Sequence, residues 1–152
     1  MNETVAFAKL FVKAKVAPEK VREGLVRLRR SADLTNSVTT VVTEFPKIKD
    51  KINGSLADFK RFFRQPQIEN IIALATELDH PEAAFLRVAY GSDVYSKANL
   101  NPAPLVTGAD LIALGLKPGP AFKKILFDAE TEQLEGNLVS KEAALDFVKG
   151  VL

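Results

Sequence analysis

The chain has 152 residues, 47% hydrophobic and 26% charged, which is enough apolar material for a packed core and too much for a disordered chain. It has no cysteine and one histidine, so disulfides, thiolate metal sites and histidine pairs are excluded. Net charge is +2 but uneven: residues 1–64 carry 14 Lys/Arg against 7 Asp/Glu, and residues 65–152 carry 7 against 12. A basic half of this kind suits an anionic polymer, and it is also common on ordinary solvated helices.

No apolar run near the N-terminus reaches signal-peptide or membrane length, which with the lack of cysteine points to a cytoplasmic chain away from membranes. The elements then read almost entirely as helix. Between Glu3 and Lys15, Phe7, Leu10, Phe11 and Ala14 share a face. Pro18 suits the first turn of a second helix, with Val21, Leu25, Leu28 and Ala32 as its apolar stripe. Asp33 or Thr35 suits the cap of a third, Asn36 to Phe45, stopped near Pro46. Its run Val38 to Thr43 suits a buried strand too, but no partner strand is visible, and helix is the reading adopted. Pro46 to Lys51 is a charged connector or short helix, and Asn53-Gly54 is a stop.

Ser55 caps the next helix, through Arg64, in which Leu56, Phe59 and Phe63 share a face. The interleaved Lys60, Arg61 and Arg64 lie on the other face, where RNA could meet them. Aromatics among basic residues can stack on bases, but this spacing favours a core role for the phenylalanines. Helices follow from Gln65-Pro66 to Asp79 and from Glu82 to Tyr95. Residues 98–104, with Pro102 and Pro104, form a linker between a helical body, 1–97, and a helical tail, 105–152. In the tail Thr107 and Asp110 are spaced for a capping box, and Gly115 ends that short helix. Pro118-Gly119-Pro120 turns into a helix to Glu135, and Ser140 caps the last one. The fold class expected is all-α.

The chemistry of a phosphoryl-transfer enzyme is missing from this text. Its aspartates (33, 50, 58, 79, 93, 110, 128 and 146) include no D-x-D pair for two metal ions. Gly91-Ser92-Asp93 has the opening of a nucleotidyltransferase signature, but no second carboxylate follows at the required spacing. There is no P-loop, G-x-S-x-G or H-E-x-x-H. His80, beside Pro81, reads as a helix-end residue. No catalytic or metal-ligating residue is assigned, and no cofactor is expected in this chain. The start of the Pro120 helix, with a glycine and lysines beside it, is instead suited to a phosphate.

The tail carries the most specific text: Pro104-Leu105-Val106-Thr107-Gly108-Ala109-Asp110-Leu111, Gly115-Leu116-Lys117-Pro118-Gly119-Pro120, Ile125-Leu126, Leu134-Glu135-Gly136 and Ser140-Lys141-Glu142-Ala143. It resembles the C-terminal region of bacterial tRNA nucleotidyltransferases (CCA-adding enzymes) and the related bacterial poly(A) polymerases. Leu28-Arg29-Arg30-Ser31 and Phe59 to Pro66 resemble the segment before that tail more loosely. Two positions depart: Ala109 stands where the family often has lysine, and Lys123 where it often has glycine.

The resemblance implies a modular enzyme of head, neck, body and tail, with magnesium and ATP or CTP used in the head. It implies that this chain is body and tail alone, holding tRNA or another RNA by its backbone for 3′ addition by head and neck domains from elsewhere. The expected contacts are Lys117, Gly119, Lys123 and Lys124 in the tail, then Arg29, Arg30, Lys60, Arg61 and Arg64 in the body. CCA and poly(A) addition both remain open. The rival reading is a helical protein–protein interaction domain that does not bind RNA, with the turn at Pro118 purely structural.

Overall fold

The computed structural model describes residues 2–152, the Val94 side chain excepted. Among the described residues there are eleven α-helices, two 3₁₀ turns and no strand. The body holds α1 (Glu3–Lys13), α2 (Pro18–Arg27), α3 (Ala32–Glu44), α4 (Ile48–Asn53), α5 (Leu56–Phe63), α6 (Ile68–Glu77), α7 (Ala83–Tyr90) and α8 (Lys97–Leu100). The tail holds α9 (Gly108–Ala113), α10 (Pro120–Leu134) and α11 (Lys141–Gly150). No helix among the described residues is long and apolar enough to cross a membrane.

The body is organised on α3. Its β-branched run packs against α1 and α2, and also meets α6. Val38 and Val41 are fully buried, so burial against neighbouring helices overrides the β preference of these residues. The second apolar stripe breaks where one continuous helix was expected. The backbone at Arg29 turns left-handed (φ 53°), and Arg30 N–H closes on Leu25 O at 3.0 Å. Ser31 then caps α3 by accepting from Leu34 N–H at 3.2 Å. The cap is therefore neither Asp33 nor Thr35, and Leu28 is left 59% exposed. In α5 the buried residues are Ala57, Phe59, Phe62 and Phe63, whereas Leu56 faces solvent. The helix expected to reach Tyr95 ends at Tyr90, and Asp93–Tyr95 forms a 3₁₀ turn.

Two apolar clusters divide the molecule. One runs from Val5 to Leu100, and the other from Val106 to Val148. Ala98 to Leu100 are helical, and Leu100 is buried with the first cluster, so this part of the expected linker packs with the body. Helix α10 joins the halves: it packs on α9 and α11 in the tail and on α5 in the body.

Candidate nucleic-acid interface

The tail turn is built from its caps. Thr107 donates both its N–H and its hydroxyl to Asp110 Oδ2, at 2.8 and 2.9 Å, which fixes the start of α9. Lys141, from the first residue of α11, reaches Asp110 Oδ1 at 2.9 Å. The Lys141 bond first, then those from Thr107, hold the Asp110 carboxyl down at about 2. Gly108 packs closely: a Cβ there would lie 3.1 Å from the Phe122 ring. At the other end Gly115 (φ 88°) takes the left-handed position, and Leu116 N–H closes on Leu111 O at 3.0 Å. Much of the signature text therefore locks α9 onto α10 and α11.

The chain then presents Lys117, Pro118 and Gly119, and Pro120 opens α10. Gly119 is extended (φ 173°), and a Cβ on it would find nothing nearer than Lys117 O at 4.0 Å. Neither conformation nor crowding within the chain requires glycine there. Lys117, Lys123 and Lys124 are exposed around this turn. Lys124 pairs with Asp128 one turn on. A shallow recess of about 430 Å³ lies over Pro118, Gly119, Pro120, Phe122 and Lys123.

The body candidates fall into two groups. Arg29 and Arg30 are exposed at the corner between α2 and α3. Arg30 reaches Glu3 at 3.3 Å and lies 5.2 Å over the Phe7 ring. Lys60, Arg61 and Arg64 instead face α10. Lys60 Nζ donates to Leu134 O at 2.8 Å, at the C-terminal end of the α10 dipole. Arg61 donates to Glu130 Oε2 at 2.9 Å and Thr131 Oγ1 at 2.8 Å, with its guanidinium 4.0 Å from the Phe127 ring centre. Arg64 reaches Glu130 Oε1 at 2.8 Å. Burial alone would raise the Glu130 carboxyl, but the bonds from Arg64 and Arg61 outweigh it and keep it below its ordinary range. Glu135 completes the joint by accepting from Ala57 N–H at 2.8 Å.

Residues 1–148 match the family described as tRNA nucleotidyltransferase domain 2. The chain belongs to that family. A curated relative, the A-adding tRNA nucleotidyltransferase of Halalkalibacterium halodurans, is 44% identical over 57 residues, covering 38% of this chain and 13% of that enzyme. No solved structure matches.

Against this family background the basic residues of Phe59 to Pro66 gain an intramolecular role that sequence reasoning did not assign. The signal was present in α10, whose second half carries Asp128, Glu130 and Glu132 and no cation, with Glu135 as its C-cap. The opposed charges of the two halves partly meet each other at this joint. The family resemblance also implies magnesium in a catalytic head. Among the described residues no three His, Asp or Glu side chains converge on one point that could hold a metal ion. His80 is used structurally: its Nδ1 accepts from Glu82 N–H at 3.1 Å and its ring packs edge-on against Phe45.

Proposed function

We propose that this chain is the RNA-holding body and tail of a tRNA nucleotidyltransferase or poly(A) polymerase. It grips tRNA by the sugar–phosphate backbone while a catalytic head outside these residues adds nucleotides to the 3′ end, and these residues do no chemistry by themselves. The observation that carries this reading is the turn at Gly119. A glycine that the fold does not need lies between the exposed Lys117 and Lys123, at the opening of the longest helix. That arrangement lets a phosphate approach the backbone closely with cations on either side. Arg29 and Arg30 form a second basic point on the body. Lys60, Arg61 and Arg64 serve the grip mainly by fixing the tail to the body.

The test is retention of tRNA by the full chain as salt is raised, compared with Lys117→Glu/Lys123→Glu. Removing a single lysine–phosphate pair lowers the log–log salt slope by about one, so the double variant should bind weakly and with a slope lower by about two. Flat or undetectable binding of the native chain at low salt would sink the proposal and favour a protein-interaction domain. Extension of an RNA 3′ end by this chain alone, given nucleotide and magnesium, would overturn the non-catalytic part.

A further inference from the structure

A separate cleft of about 750 Å³ lies in the body, between the end of α5, the start of α6, the end of α7 and α8. No tail residue lines it. Its size is in the range of small-molecule sites, roughly 300–1,000 Å³. Phe63 lies at its floor, and Tyr90 and Tyr95 stand at its walls. Tyr95 packs 5.3 Å from Phe63, ring centre to ring centre, so this wall is fixed from behind. Tyr90 is 44% exposed, and its hydroxyl is held by Glu69.

The charged groups of the lining have one sign. Arg64 and Lys97 line the cleft, and no carboxylate does. Arg64 gives one Nη to Glu130 and keeps further donors on its guanidinium fork. Lys97 is exposed. The Gln65 amide spends its N–H on Phe62 O at 2.9 Å, which leaves its oxygen as an acceptor. Ser96 opens α8 without a side-chain cap bond, so its hydroxyl is uncommitted there. Rings, an amide, a hydroxyl and two cations, with Glu130 on the far side of Arg64 and no carboxylate in the lining, suit a flat aromatic ring joined to an anion.

We propose that this cleft takes one unstacked nucleotide, with its base against Tyr90 and Tyr95 and its phosphate on Lys97 and Arg64. The inference rests on the RNA-holding reading and deepens it. It adds a place for a base to a grip otherwise made on phosphates. The same chemistry would be offered by an unpaired nucleotide of a bound RNA and by a free nucleotide.

The chain has two tyrosines and no tryptophan, and both tyrosines line the cleft. Fluorotyrosine incorporation followed by fluorine NMR therefore reports on this site alone. The full chain is titrated with AMP, CMP, ribose 5-phosphate and a single-stranded trinucleotide. The nucleotides and the trinucleotide are expected to shift both resonances saturably, with Kd of about 1 mM or tighter, while ribose 5-phosphate does not. Tyr95→Ala also removes packing on Phe59 and Phe63, so the variant that separates binding from folding is Lys97→Glu. It should weaken nucleotide binding about tenfold with an unchanged thermal midpoint. Trinucleotide binding at least about tenfold tighter than AMP would assign the source to single-stranded RNA, and equal affinities would assign it to free nucleotide. No saturable shift with any nucleotide, or the same shift with ribose 5-phosphate, overturns the inference. If tRNA is still retained in that case, only the cleft falls. If nucleotides bind and tRNA does not, the RNA-holding reading falls and the cleft stands.

Discussion

Thr35, on the buried face of α3, is 3% exposed, and its hydroxyl has no hydrogen-bond partner among the described residues. Its neighbour one turn on behaves differently: the Thr39 hydroxyl donates to Thr35 O at 2.7 Å. An orphaned buried hydroxyl costs its desolvation without a compensating bond. Thr35→Val keeps the branched shape and removes that cost. It should stabilise the chain by about 1 kcal/mol, a rise of about 2–4 °C in thermal midpoint for a chain of this length. An unchanged or lowered midpoint would mean that the hydroxyl is satisfied in solution. Two glycines of the tail signature show how differently one residue type can be used. Gly108 answers to the Phe122 ring, whereas Gly119 answers to nothing within the chain.

The helix ends decide how much of the fold could be read from sequence. Where the capping chemistry is written in the usual residues, the boundaries were legible. Ser55, Thr107 and Ser140 start helices, Pro120 opens α10, and Gly115 and Gly136 end helices in left-handed geometry. The same left-handed termination occurs at Lys15, Arg29 and Asp79, where no glycine marks it. That is why the apolar stripe of α2 extends on paper beyond the helix itself: Leu28 and Ala32 continue its spacing, and the turn at Arg29 takes them off it. The cap of α9 makes the pH dependence of the tail specific. Asp110 is lowered from its ordinary 3.8 to about 2, chiefly by Lys141. A carboxyl depressed on folding contributes stability that is complete above its ordinary value and lost as pH falls through the lowered one. The native tail should therefore loosen as pH drops from about 4 to about 2. Asp110→Asn should start less stable and show a flatter profile across that window. Amide exchange in α9 followed by NMR checks both, and parallel profiles would remove Asp110 as the cause.

At the level of the whole molecule, the candidate interface was only half legible because charge on a helix face does not say which surface will meet it. Lys117 and Lys123 stayed exposed as the sequence implied, whereas Arg61 and Arg64 were drawn to an acidic helix some 65–70 positions away in the chain. That pairing depends on how the tail folds back, which no local pattern records. The joint is made largely of polar bonds around Glu130, over the buried Ala57, Ala129 and Leu134. Glu130→Ala leaves two guanidinium groups facing each other at a partly buried site. The cost lies between that of an exposed and a buried broken pair, about 1–2 kcal/mol. The two apolar clusters do not depend on this carboxylate, so each half should keep its helices while the joint opens more often. Limited proteolysis within residues 101–104 should accelerate by about tenfold, with far-UV circular dichroism unchanged. Docking sets the position of the tail turn relative to Arg29 and Arg30, so tRNA retention should weaken even though Glu130 repels phosphate. A variant that binds RNA more tightly, as simple removal of a negative charge would predict, would show that body and tail grip independently.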